Sequence, residues 1–190
     1  MILELITENR SYRRFHQNVS IAQLTLNELV NLARLSPSAA NRQPLKFILS
    51  NTPEQNALIF NCLAWAGYIK EWGGPREGER PSAYIIILGD TSIADSFGID
   101  PGIAAQSIML GAVEKGLGGC MVASLQKDKL RKALAIPGQY EILLALALGK
   151  PLEQVVIEDV DTRGDIKYWR DGKELHHVPK RKLEDLIVKF

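Results

Sequence analysis

The apolar positions Ile2, Leu5 and Ile6, closed by Asn9, repeat at helical spacing, so a short amphipathic helix opens the chain. The segment from Arg10 to Phe15 interrupts it with three arginines. Leu26, Leu29, Val30, Ala33 and Leu35 carry a second helix to Pro37, and Thr25-Leu26-Asn27-Glu28 reads as its capping box. Leu45 to Ser50 reads as a strand. Thr52-Pro53-Glu54-Gln55 is a second capping box, with proline at the favoured first position, for a helix running to about Ala66. Ala83 to Gly89 is a near-continuous apolar strand, hence central and covered on both faces. Asp100-Pro101 starts a helix whose run from Ile103 to Val113 is apolar nearly all round. Such a helix is buried, so a core or a subunit interface must cover it. The turn Gly116-Leu117-Gly118-Gly119 ends it. A short strand at Cys120 to Leu125, a helix at Asp128 to Ala135 stopped by Pro137, and an apolar strand at Glu141 to Gly149 complete the pattern.

Helices alternating with strands at 45–50, 83–89, 120–125 and 141–149 predict an α/β or α+β sandwich. With 190 residues, 46% of them apolar, one domain spanning 1–190 is expected. Its core is 1–151. The charged tail 152–190 shows little periodicity and has to dock on that core or on a partner subunit. The connection from Gly67 to Ser82, rich in Gly, Pro, Glu and Arg, is long enough to be functional. A net charge of +1 gives no bulk attraction to nucleic acid or to an anionic membrane. No window approaches the ~20 apolar residues of a membrane span, and Met1 to Leu5 does not read as the start of a signal peptide. Cys62 and Cys120 have neither metal-ligand spacing nor the number a disulfide framework needs, and both sit in apolar surroundings. A cytoplasmic protein acting on small molecules is the expectation.

Several chemistries are disfavoured by the motifs. His16 and the adjacent His176-His177 pair lack a third ligand at useful spacing for a metal. A serine-hydrolase elbow is missing. Gly116 to Gly119 precedes a strand and fails the dinucleotide fingerprint, and Gly149-Lys150-Pro151 fails the phosphate-loop pattern. Two features remain. The loop from Leu35 to Leu45 combines prolines, small residues and the amides of Asn41 and Gln43, a surface suited to a flat polar ring. Arg10-Ser11-Tyr12-Arg13-Arg14 and Lys180-Arg181-Lys182 offer cations at the two chain ends, and arginine forks match phosphate oxygens.

Together these segments resemble the FMN-dependent nitroreductase family. Asn9 to Phe15 is similar to its arginine–serine–arginine opening, and Ser36 to Pro44 to its Pro-Ser…Asn-x-Gln-Pro loop. The helix after Asp100, the turn Gly116 to Cys120, and Leu148-Gly149-Lys150-Pro151 follow in the family's order, so the resemblance covers about residues 1–151. Pro179 to Leu183 is similar to the basic C-terminal segment of some members.

The resemblance implies an α+β, three-layer α-β-α sandwich with a central mixed sheet, and a homodimer with FMN at the subunit interface. The apolar helix 101–115 would be the buried dimer helix. By the same carry-over, Arg10, Ser11 and Arg13 would hold the ribityl phosphate, with Lys180 and Lys182 adding charge. Asn9 stands where many members have another arginine, and Arg14 is the substitute for it. Pro37, Ser38, Ala39 and Asn41 would reach the flavin of the other subunit, supported by Gln43. Val122, Ala123 and Ser124 would lie near the ring, with Ala123 small where some members are acidic. Tyr68 and Trp72 are candidates for the open face of the ring. No residue is assigned a proton-transfer role, because a flavin carries the redox chemistry itself. The implied activity is ping-pong hydride transfer from NAD(P)H to a nitroaromatic or quinone-like acceptor. A flavin-storage protein, or a flavin-fragmenting or dehalogenating enzyme on the same fold, is the alternative.

Overall fold

The four apolar stretches pair into one sheet. A computed structural model of the chain describes residues 1–69 and 71–188. It opens with α1, Ile2–Glu8, and α2, Gln23–Leu35. Strand β1, Leu45–Ser50, is followed by α3, Pro53–Phe60, and by β2, Ala83–Asp90. Helix α4, Asp100–Glu114, leads to β3, Gly118–Val122, then α5, Lys127–Ala133, and β4, Tyr140–Gly149. The sheet order is β1-β2-β4-β3, and each neighbouring pair runs antiparallel. The sheet's outer edge gains a parallel contact where Ser11 bridges to Gly119.

Every residue of β2 is buried, as its unbroken apolar run requires. Alternation then splits the core in two. Ala83, Ile85 and Ile87 meet Leu26, Leu29 and Ala33 of α2 and Ala105, Ile108 and Met109 of α4. Tyr84, Ile86 and Leu88 meet Ile59 of α3 and Leu130 of α5 on the other face. Ile59 and Leu130 are fully buried, worth about 1.5–3 kcal/mol each. Three layers result, as the sequence predicts.

Element boundaries depart from the sequence reading in instructive ways. Helix α2 starts at Gln23 behind an extended Ala22, and Thr25 lies inside its first turn without a capping bond. The second capping site holds: Thr52 accepts from the Gln55 amide at 3.4 Å. Helix α3 stops at Phe60, not near Ala66, because the chain turns to pair Leu63 with Leu125. Helix α4 is buried along Ala104, Ala105, Ile108, Met109 and Ala112, but Ile99 before it is exposed and Ile103 and Leu110 are half-buried. Helix α1 lies against α4 and exposes Ile2, Leu3 and Ile6.

The tail has more order than its sequence announces. Strands β5, Val155–Val160, and β7, His176–Arg181, pair in parallel, and β6, Trp169–Arg170, joins β7 antiparallel. The small sheet is anchored on the core by main-chain bonds from His16 to Lys150 and from Leu152 to Arg14.

Gly118 lets the arginine segment reach the sheet, and Gly119 lets β3 lie against β4. A Cβ at Gly118 would sit 2.5 Å from the Tyr12 ring, and one at Gly119 would sit 2.4 Å from the Ala147 carbonyl oxygen. Tyr12 N–H donates to the Gly119 carbonyl at 2.9 Å. Gly119→Ala must therefore push backbone against backbone at the β3–β4 pairing. We expect it to destabilise the fold by about 1–3 kcal/mol, the scale of core overpacking, visible as a lower urea midpoint with an unchanged slope.

Candidate functional site

The arginines of one short run meet different fates. Arg14 is clamped by Glu79 in a two-point ion pair, Nε to Oε2 at 3.0 Å and Nη2 to Oε1 at 2.9 Å, and its remaining fork reaches Glu174. The hydrogen bond to Glu79 raises the Arg14 pKa and lowers that of Glu79. Its guanidinium is thus spent on protein carboxylates. Arg13 is buried; its Nη1 donates to the Ser11 carbonyl at 3.2 Å, and its guanidinium lies 4.5 Å from the centre of the Tyr168 ring. Arg10 is half-buried. One nitrogen donates to the Ile6 carbonyl at 2.6 Å, but its Nε is buried with no partner.

Arg10, Ser11, Arg13 and Lys180 line one cavity of about 260 Å³, together with Asn9, Tyr168 and His176. A second cavity, about 210 Å³, is bounded by Val122, Ala123, Ser124, Cys120 and the turn from Ala64 to Gly67. Arg13 and Tyr168 belong to both, so the two adjoin. Burial raises the pKa of the Cys120 thiol, which favours the neutral form. Lys182 points elsewhere: it pairs with Asp161 at 2.8 Å, while Arg181 donates to the Thr162 carbonyl.

The Pro37–Gln43 segment forms a third site. Pro37, Ser38 and Gln43 line a cavity of about 180 Å³ with Asp100 and Ala104, and none of its lining residues occurs in the other two. Ala39 and Asn41 are exposed beside it. Ala40, Asn41 and Gln43 all have φ near +50°, with values of 50°, 53° and 52°, a left-handed conformation costly without glycine. Buried Asp100 fixes the loop: it accepts from the Ser38 hydroxyl at 2.6 Å and from the Ala39 amide at 3.1 Å. The Ser38 oxygen in turn accepts from the Gln43 amide at 2.9 Å.

Three contributors lie outside the site residues that the sequence assigns. Tyr168 packs between Arg13, the Tyr68 ring at 5.0 Å and the His176 ring at 5.4 Å. His176 completes the arginine cavity, and Asp100 holds the loop instead of capping its helix. The adjacent His176-His177 pair is visible in the sequence, but what it and Tyr168 touch depends on the tail's path. Trp72 lies under Arg170 at 4.3 Å, away from the two cavities.

A sequence model of the Nitroreductase family matches residues 6–66 and 79–150. The protein "Putative NAD(P)H nitroreductase YodC" of Bacillus subtilis strain 168 is 23% identical, over 80% of this chain and 90% of its own. An FMN-dependent nitroreductase from Clostridium difficile R20291 superposes with a TM-score of 0.67 at 23% identity, covering 80% of this chain and 88% of that one. A nitroreductase family protein of Clostridium novyi NT gives 0.66 at 25% identity, over 80% and 85%.

His176 supplies a test of the cavity's electrostatics. Arg13 Nη1 lies 3.3 Å from its Nε2, and guanidinium only donates, so the ring must be neutral with Nε2 accepting. Burial first, then Arg13 and Arg170, lower its pKa to about 4. The unfolded chain, at about 6.5, binds the proton more readily. Stability from this group is therefore complete above about pH 6.5 and is lost as pH falls towards 4, by about 3 kcal/mol in all. We expect His176→Gln, which keeps an acceptor, to flatten that part of the stability–pH curve. Urea unfolding of both proteins across this range is the measurement, and parallel curves would count against it.

Proposed function

The chain belongs to the nitroreductase family, and on that premise we propose that it is an FMN-dependent NAD(P)H oxidoreductase reducing nitroaromatic or quinone-like acceptors by a ping-pong reaction. The observation that carries this reading is the pair of adjoining cavities, one ringed by Arg10, Ser11, Arg13 and Lys180 and the other by Val122, Ala123 and Ser124. The residues fit the cofactor. The buried, unpartnered Arg10 Nε is a donor awaiting an acceptor, and phosphate oxygens are the acceptors a guanidinium binds best. Arg10, Ser11, Arg13 and Lys180 would hold the ribityl phosphate. Val122, Ala123 and Ser124 would lie along the ring.

Held by Arg10, Ser11, Arg13 and Lys180, FMN would supply the hydride-transfer chemistry between NAD(P)H and the acceptor. The chain's own part is orientation and charge. Arg13, shared by both cavities, would place a fixed positive charge between phosphate and ring. Ala123 leaves its stretch of wall small and uncharged. Arg14 and Lys182, engaged with Glu79 and Asp161, would act from outside the site. Pro37, Ser38 and Gln43 line a separate cavity, with Ala39 and Asn41 exposed beside it, which supports their reaching the flavin of a partner subunit in a homodimer. The exposed Ile2, Leu3, Ile6 and Ile99 around α1 and α4 support the same assembly. Among the described residues no helix is long and apolar enough to cross a membrane, and Cys62 and Cys120 are unpaired. Both fit action in the cytoplasm.

The protein should purify yellow and release FMN. Arg10→Ala should weaken FMN by about 1.5–3 kcal/mol, the scale of a charged hydrogen bond, measured by titrating apoprotein and following flavin fluorescence. Unchanged affinity would remove Arg10 from the phosphate site, and a colourless protein indifferent to added FMN would end the reading.

Because the described residues form no dinucleotide fold to hold a nicotinamide apart, donor and acceptor should take turns at one place. Double-reciprocal plots of NAD(P)H oxidation at several quinone concentrations should then be parallel. Intersecting lines would mean that both substrates bind together.

A further inference from the structure

A cavity of about 450 Å³ shares no lining residue with the three cavities described above. Its wall includes Arg80, Ser82 and Tyr84, facing Phe60, Ala57 and Asn51. Tyr84 is completely buried and Ser82 nearly so. The Tyr84 hydroxyl, the Ser82 hydroxyl and the Arg80 Nε are all buried and have no hydrogen-bond partner. Each such group costs about 1–3 kcal/mol when left unmade. Three gathered on one cavity wall are more than chance packing leaves. All three can donate, and burial raises the Tyr84 pKa, so its hydroxyl keeps its proton.

The wall is also braced. The Gln17 side-chain oxygen accepts from the amides of Gly78 and Arg80 at 2.8 and 3.1 Å. Asn56 accepts from the Ser50 hydroxyl at 2.7 Å and donates to the Ser82 carbonyl at 2.8 Å. The Arg80 guanidinium lies 4.4 Å over the centre of the Phe60 ring and pairs with the exposed Glu77 at 2.9 Å. Glu77 also lines the cavity, but its side chain is 75% exposed and engages only Nη1, so the pair leaves Nε free and is screened by water, and part of the positive charge stays available to the cavity. Preorganised donors beside an apolar ring and a cation are the parts of a small-molecule site.

We propose that this cavity is a second ligand site, separate from the flavin site, that takes a small aromatic carboxylate: carboxylate oxygens to Tyr84, Ser82 and Arg80, the ring against Phe60 and Ala57. At about 450 Å³ the cavity has room to spare for a single ring with one short substituent. The site does not depend on the proposed redox activity, and its test reads binding alone.

Benzoate is the probe, titrated calorimetrically into the protein as purified, with the visible absorption of any bound flavin recorded alongside. A binding event that leaves the flavin band unmoved is expected, weakened at least fivefold in Tyr84→Phe and lost in Arg80→Met. Tyr84→Phe keeps the packing and removes only an unpartnered hydroxyl, so it should unfold no more easily than wild type and decides the matter even if Arg80→Met folds poorly. Benzamide, uncharged and of the same shape, should bind more weakly. The proposal is overturned if the only binding event moves the flavin band, if Tyr84→Phe binds benzoate as well as wild type does, or if benzamide matches benzoate.

Discussion

Glu153 is the anchor on which the arginine segment depends. It is a buried carboxylate at the junction of core and tail. One oxygen accepts from the main-chain amides of both Arg13 and Arg14, and the other pairs with Arg170 of the tail at 2.9 Å. A carboxylate taken out of water is costly unless its lone pairs are used, and here main chain and guanidinium use them. The same group therefore fixes the backbone that carries Arg13 and the tail that carries Lys180 and Tyr168. Gly118 under Tyr12 makes the approach possible sterically; Glu153 makes it favourable.

That anchoring explains why consecutive arginines differ. Arg13 and Arg14 leave the same stretch of backbone in different directions. Arg14 runs to Glu79 and Glu174, which hold it as structure. Arg13 turns to a neutral imidazole and an aromatic ring, neither of which cancels its charge. Arg10, before the bridge at Ser11, keeps an unused donor. Counting cations in sequence cannot separate these cases. Counting the carboxylates within reach does: Glu79, Glu153 and Glu174 surround Arg14 and the main chain, while the cavity holding Arg10 and Arg13 has no acidic residue on its wall.

The core was legible because its signals are local. Strands β2 and β4 follow from long apolar runs and β1 from Leu45, Phe47, Ile48 and Leu49, and the proline and cap at Thr52-Pro53 mark their helix. The start of α2 was misread because Thr25 has the right spacing for a cap, yet burial of Leu26 and Leu29 lets the helix begin earlier. The tail was illegible for the opposite reason. Strand β5 opens on Val155-Val156-Ile157 without alternation, and β7 offers Val178 between polar and basic residues, so their pairing rests on long-range contacts such as Glu153 with Arg170. Tyr168 and His176 are parts of the site only through that pairing. Periodicity cannot announce a residue whose role is set by where a neighbouring strand brings it.

The Pro37–Gln43 loop carries the argument one step further. Three left-handed residues without a glycine cost on the order of 1–3 kcal/mol each, and a loop with nothing to present would relax by extending or by using glycine. Here the conformation is enforced from behind by the two bonds to Asp100, which turn Ala39, Asn41 and Gln43 outward into solvent. Strain held by a buried carboxylate, with the polar groups facing away from the chain's own core, is a surface shaped for something outside this chain. The cavity beside it shares no residue with the arginine cavity. If both serve one ligand, as the proposed reading has it, a single subunit holds two unlike half-sites. A twofold dimer is the simplest assembly that brings the loop of one subunit to the arginines of the other, because an isologous interface places each half-site opposite its complement twice over.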